Sequence, residues 1–273
     1  MGMSHVGESL DGRVTWATAA RVVPIALAVT VVALQIAYPW FSPGPAQDQL
    51  TVAIVLCFAA ASLSHALVWR GVRFAVALFV TTALGGLAIE VLGVSTGIPF
   101  GEYRYLGSLG AQLLGVPVVV ALAWTMMAYP AYVVSEVIGG GLARTALVGG
   151  WALASWDLFL DPQMVQAGHW AWESVGPALA GIPVTNYLAW FMIATIMMAT
   201  LRTVAPADAA DDVCLSLRCS RHGTDDRMPL AMYGWIYVSS VMAHALFFGL
   251  PTSALAGGIG MGVVVLALAR ALR

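Results

Sequence analysis

Lysine is absent from this 273-residue chain: all twelve basic residues are arginine, and charged residues of both signs make up only 10%. Soluble domains carry about 25% charged residues. The net charge of −2 comes without the clustered positive charge that a nucleic-acid surface needs, so no nucleic-acid partner is expected. The low hydropathy of a disordered chain is missing too, because the mean hydropathy is +0.85 and 60% of residues are apolar. Cysteine is scarce: Cys57 lies in an apolar run, and Cys214 and Cys219 lie in a polar one. An odd count without dense spacing excludes a disulfide framework, and Cys214, Cys219 and His222 fit no standard zinc spacing, so no metal is expected. A glycine-rich phosphate loop, a nucleophile elbow, an iron-binding histidine cluster and a cysteine redox pair are all missing as well. What is present is more apolar surface than one soluble core can hide. The composition describes a polytopic membrane protein.

Apolar runs of about 20 residues can cross a bilayer as helices. Eight are expected, at 17–38, 50–69, 73–94, 116–138, 144–160, 184–201, 229–249 and 253–270. The expected fold is all-α: a single integral membrane domain over 1–273, a bundle of about eight transmembrane helices. The first run is longer than a signal-peptide core and lacks a small-residue cleavage site, so it reads as a retained helix. With the N-terminus inside, eleven of the twelve arginines fall on the inner side and only Arg104 falls outside. That asymmetry predicts a multi-pass protein of the cell membrane with both termini cytoplasmic.

The inner loop 202–228 is polar and rich in Asp and Arg, and reads as a connector. The outer loops 95–115 and 161–183 are rich in aromatics and glycine instead. Both should fold back over the end of the bundle and carry function. They belong to an internal repeat. Glu90, Gly101, Tyr103 and Tyr105 match Asp157, Gly168, Trp170 and Trp172 at an offset of 67, and LGVPVVVALAW (114–124) matches AGIPVTNYLAW (180–190) at 66. The units, about 73–138 and 144–201, would run parallel, related by an axis along the membrane normal. Pro117 and Pro183 read as first-turn prolines, and Trp124 and Trp190 as packing residues.

Ionisable groups inside membrane spans are costly and therefore candidates for function. Glu90 and Asp157 lie near the outer ends of their helices. Asp161 follows Asp157 by four residues on the same face, and Asp161-Pro162 is expected to end that helix. These three carboxylates are the candidate catalytic residues. Glu90 could alternatively pair with Arg104, and Asp161 could cap a turn. Asn186 is a candidate carboxylate or water partner, and His244 is near enough to the outer end to reach the acids. Glu136 reads as interfacial, and His65 as bonded to a neighbouring helix.

The stretches TGIPFGEYRYLGSLGAQLLGVP (96–117) after Glu90, WDLFLDPQMVQAGHWAW (156–172) and GIPVTNYLAW (181–190) resemble the integral-membrane carotenoid hydratases, of the bisanhydrobacterioruberin and γ-carotene hydratase kind. The resemblance covers roughly residues 50–250, and more distantly extends to the small membrane lycopene cyclases. It implies acid-catalysed addition of water across the terminal double bond of an open carotenoid end group, with no cofactor. The partners would be a lipophilic carotenoid within the bilayer, water as co-substrate, and other enzymes of the same pathway. On that chemistry Asp157 or Glu90 supplies the proton and Asp161 takes one from water. Tyr103, Tyr105, Trp156, Trp170, Trp172, Asn186 and His244 are the candidate substrate-binding residues, the aromatic faces stabilising a carbocation. A cyclase would share the protonation step. A proton-coupled transporter built on parallel repeats and a structural role in a pigment complex are the readings from other classes.

Overall fold

The computed structural model describes residues 5–173, 176–205 and 225–273, with side chains from Arg21 onward. Cys214, Cys219, His222 and most of the polar connector lie outside the described residues. The fold is all-α apart from short strands in the two outer loops. The helices are α1 (His5–Ala37), α2 (Pro45–Phe79), α3 (Gly85–Thr96), α4 (Val118–Ile138), α5 (Leu142–Gln166), α6 (Val184–Val204), α7 (Arg227–Leu246) and α8 (Pro251–Ala271). A π-helical turn, Val80–Leu84, joins α2 to α3, so Pro45–Thr96 is one helical stretch and the described residues form seven. Five stretches are long and apolar enough to cross a membrane: Arg21–Trp40, Pro45–Thr96, Val118–Ile138, Val184–Val204 and Pro251–Ala271. That is the pattern of a multi-pass membrane protein. The other two, α5 and α7, are more polar, α5 carrying two aspartates and α7 two serines and a histidine.

The stretch Pro45–Thr96 is not straight. Gly71 breaks it with φ 84° and ψ 168°, a conformation that costs glycine little and other residues much. On one side of Gly71, Ser62 Oγ donates to the Met126 carbonyl at 2.9 Å; on the other, Thr82 Oγ1 meets Thr125 Oγ1 at 2.8 Å. Both arms therefore reach the same level of α4, and the chain doubles back at Gly71. Near this bend, Arg70 is enclosed by Glu136 (2.6 Å), Asp226 (2.9 Å) and the Tyr129 hydroxyl (3.2 Å). Glu136 is thus a half-buried ion-pair partner, and His65 Nδ1 meets Tyr129 Oη at 2.8 Å.

Helix α4 is the centre of the bundle. Every residue from Trp124 to Ser135 is buried, the signature of a helix surrounded on all sides.

Two prolines sit inside buried helices, and Pro162 does not end α5, which continues to Gln166. A proline in a helix leaves the carbonyl four residues earlier without its donor. Here both orphans are taken by serines from other helices. Ser253 Oγ donates to the Leu158 carbonyl at 2.6 Å, opposite Pro162, and Ser62 does the same for Met126, opposite Pro130. The local rule is overridden because a neighbouring hydroxyl replaces the missing N–H.

The outer loops fold back across the helix ends. Strand β1 (Tyr103–Tyr105) pairs antiparallel with β4 (Trp170–Trp172), in the register Tyr103 to Trp172 and Tyr105 to Trp170. Each loop then makes a small hairpin, β2 (Gln112–Leu113) with β3 (Val116–Pro117), and β5 (Ala178–Leu179) with β6 (Ile182–Pro183). The turn residues have matching conformations: Leu114 and Gly115 at φ 52° and 85°, Ala180 and Gly181 at 54° and 83°. Both central residues at positive φ mark type I′ turns.

Ser62→Ala leaves the Met126 carbonyl buried without a donor. It should cost about 1–3 kcal/mol of stability, read as a lowered unfolding midpoint in detergent; an unchanged midpoint would remove the serine from this role.

Candidate functional site

The helix ends beneath the β1–β4 ribbon, together with the ribbon itself, enclose a cavity of about 330 Å³. Its walls are mostly aromatic and aliphatic, and its acidic lining residues are Glu90 and Asp161; among the described residues no arginine or histidine lines it. The ribbon forms part of the wall, where Tyr103 packs on Trp172 with centroids 4.9 Å apart and Tyr105 meets Trp170 edge-on at 5.6 Å. Beneath it Trp124 and Trp190 stack at 3.8 Å, only 9° from parallel, and Trp156 stands edge-on to Trp190 at 6.2 Å.

Glu90 comes from α3 and is 5% exposed. Its Oε2 accepts from Tyr103 Oη at 2.5 Å and Tyr105 Oη at 2.8 Å, and its Oε1 accepts from Trp124 Nε1 at 3.2 Å. Burial and the adjacent Glu90 push both phenols upward from the ordinary tyrosine value, so they remain donors at any physiological pH. Arg104 pairs with Glu173 at 3.0 Å, out in the loop.

Asp157 and Asp161 lie one turn apart on α5 and share one partner. The amide nitrogen of Asn186, on α6, donates to Asp157 Oδ2 at 2.8 Å and to Asp161 Oδ2 at 2.5 Å. Asp161 Oδ1 also accepts from Trp170 Nε1 at 3.1 Å, so Asp161 is fixed from both sides. Asp161 lines the cavity, whereas Asp157 stands behind it. Two buried side-chain atoms have no hydrogen-bond partner among the described residues: Asp157 Oδ1 and Trp172 Nε1. Buried polar atoms are nearly always satisfied, so such exceptions concentrate where a protein acts.

Of the residues singled out in the sequence, Glu90, Asp161, Tyr103, Tyr105, Trp156, Trp170, Trp172 and Asn186 come together around the cavity. His244 does not reach it. Its Nδ1 lies 2.9 Å from Ser253 Oγ, whose hydroxyl also lies 2.6 Å from the Leu158 carbonyl. Its Nε2 faces the side-chain amide of Gln163 at 3.3 Å, and Gln163 itself lines the cavity. Helix α7 turns the imidazole toward α5 and α8, which hydropathy cannot foretell.

Trp124 is more than a packing residue, since it hydrogen-bonds Glu90. Asn186 is the only asparagine in the chain. His169 Nδ1 lies 2.7 Å from Ser108 Oγ and 4.0 Å from Asp48 Oδ1; burial lowers its pKa, keeping it neutral. Among the described residues no group of three His, Cys, Asp or Glu side chains is arranged to hold a metal ion.

A family model described as carotenoid biosynthesis protein matches residues 50–220. One curated relative, the bisanhydrobacterioruberin hydratase of Haloarcula japonica, is 32% identical over 122 residues, which are 43% of this chain and 41% of that protein. The match therefore spans less than half of the relative's length. No solved structure matches the chain.

Asn186→Leu removes the donor shared by two buried carboxyls. A loss of about 1–3 kcal/mol is expected, measured by thermal unfolding in detergent, and an unaltered midpoint would mean that other donors hold the pair.

Proposed function

Because the chain belongs to the carotenoid biosynthesis protein family, we propose that it hydrates an acyclic carotenoid end group by acid catalysis. The observation that carries this reading is an apolar, aromatic-walled cavity lined by two carboxyl groups and, among the described residues, no basic one. Such a cavity complements a transient positive charge on an apolar substrate. It offers nothing to a stable anion.

The chemistry is an addition that needs no redox partner. A carboxylic acid gives its proton to carbon 2 of the terminal alkene, and the pair of electrons leaving the double bond makes the new C–H bond. Carbon 1 becomes a tertiary cation. The rings of Tyr103, Tyr105, Trp170 and Trp172 can each stabilise a nearby cation by about 0.5–2 kcal/mol. Water then bonds to carbon 1, and a carboxylate removes its extra proton, leaving a tertiary alcohol. The roles follow from the partners of each acid. Glu90 accepts three hydrogen bonds, the arrangement of a group that acts as an acceptor. It suits the group that faces the cation and takes the proton from water. Asp157 and Asp161 crowd one amide with no cation beside them, as in dyads that keep one proton between two carboxyls. Asp161 opens on the cavity and suits delivery, with Asp157 behind it. The sequence alone favoured Asp161 as base; the shared amide favours the reverse.

The eight-span layout, with both termini cytoplasmic, is part of this proposal and is supported by the doubling back at Gly71 and by the arginine distribution. The internal repeat is supported by two meetings of matched residues. Trp124 stacks on its counterpart Trp190, and the β1–β4 register exchanges symmetrically about Arg104 and Ala171. A two-fold axis through both points would present Glu90 and Asp157 to one cavity from opposite sides.

Expression in a host that accumulates an acyclic carotenoid should give a pigment heavier by one water, detected by chromatography and mass spectrometry. An isomer of unchanged mass with a shortened chromophore would mean a cyclase instead. Asp161→Asn and Glu90→Gln should each lower product formation by about 10²-fold or more at equal protein level. Full activity in both variants would sink the assignment.

A further inference from the structure

The cavity has a closed end and an open one. At the closed end Glu90, Asp161 and Asn186 are 5%, 4% and 1% exposed. Four lining residues are exposed instead: Ile36 at 56%, Trp40 at 79%, Met242 at 46% and Phe247 at 52%. Ile36 and Trp40 belong to the end of α1 and the 3₁₀ turn after it (Tyr38–Trp40), while Met242 lies in the last turns of α7 and Phe247 directly follows that helix. The mouth is therefore a slot between these two elements, on the flank of the bundle. It is bounded by two contacts across the gap. Trp235 Nε1 donates to Gln35 Oε1 at 2.7 Å on one side, and Phe248 meets Tyr38 edge-on at 5.9 Å on the other.

The four exposed rim residues are apolar; Ile36 and Trp40 belong to the apolar, membrane-length stretch Arg21–Trp40, and α7 packs against another such stretch, α8. A slot of this kind facing water would be costly, at about 25 cal/mol per Å² of apolar surface; facing lipid it costs nothing. Volume points the same way. About 330 Å³ lies at the small end of pockets that enclose drug-sized ligands, and holds an end group but not a whole carotenoid. The remainder of the molecule must leave the cavity somewhere, and the slot is the exposed part of its lining.

We propose that the slot between the end of α1 and α7 is a lateral portal through which the unreacting polyene chain of the substrate extends into the bilayer, while its end group lies against Glu90 and Asp161. This rests on the hydratase reading for the identity of the ligand. The portal makes chain length a determinant of binding and the acids a determinant of reaction. It also separates the routes of the two reactants, the polyene entering from lipid.

The test narrows the portal without touching the acids. The Ile36→Trp, Met242→Trp double variant and a control, Ile196→Trp, on the exposed face of α6 and outside the cavity lining, are reconstituted into phosphatidylcholine vesicles. Binding of a full-length acyclic carotenoid is followed by induced circular dichroism of its visible band. Turnover is measured for that carotenoid and for a short acyclic terpene with the same end group. The double variant should bind the long polyene about tenfold more weakly, with a matching rise in KM, while kcat/KM for the short terpene and all values for the control stay at wild type. If the double variant fails to fold, by far-ultraviolet circular dichroism, the two single variants carry the same comparison. Equal losses for long and short substrates, or unchanged polyene binding, would overturn the portal. Polyene binding by wild type that the double variant loses, without any hydrated product, would leave the portal standing and remove the hydratase reading. Absence of polyene binding by wild type would overturn the portal itself.

Discussion

Inside a bilayer a polar group finds its partner within the protein or finds none, and this one constraint organises the bundle. Pro130 and Pro162 interrupt buried helices, and both helices survive because Ser62 and Ser253 supply the donors that the prolines lack. Arg70 sits in the interior at the doubling back of the chain because two carboxylates and a phenol surround it. The same accounting holds the ends of the helices together, with side chains and carbonyls of different helices closing one another's valences.

Against that background the acid cluster is an exception with a direction. Glu90 is satisfied three times over, whereas Asp157 keeps one oxygen without a partner and Trp172 one N–H. Among the described residues no arginine or histidine lines the cavity beside Glu90 and Asp161. At the cluster around Arg70 the protein pairs its charges internally; at the acid cavity carboxyl groups and aromatic faces line a mostly apolar interior. A polar solute carried across the membrane would need a polar route, and the cavity opens through apolar side chains.

Much of this was legible in the chain as written. The apolar runs, the scarcity of charge and the arginine asymmetry identify a membrane bundle because a bilayer filters composition so strongly. The carboxylates stood out because so few lie within apolar runs, and the matched Tyr-x-Tyr and Trp-x-Trp segments stood out because aromatic residues at equal spacing are rare by chance. Pro162 misled, since the rule that ends a helix before proline is local and Ser253 is 91 residues away. His244 misled for a similar reason: depth in the membrane can be counted along a helix, but the direction of a side chain depends on which neighbours its helix turns toward. Trp124 looked like packing because an indole in an apolar run gives no sign of where its N–H points.

The sequence by itself determined that this is a helical membrane protein with acids and aromatics concentrated at one end, because length, hydropathy and periodicity are properties of segments taken one at a time. Only the tertiary structure decided which acid is sated and which is paired, that Asn186 bridges two aspartates from another helix, and that the cavity opens sideways between α1 and α7. Those are relations between segments far apart in the chain. They depend on the packing of whole helices, set by small residues, interior prolines and buried hydroxyls acting together, and no single segment carries them.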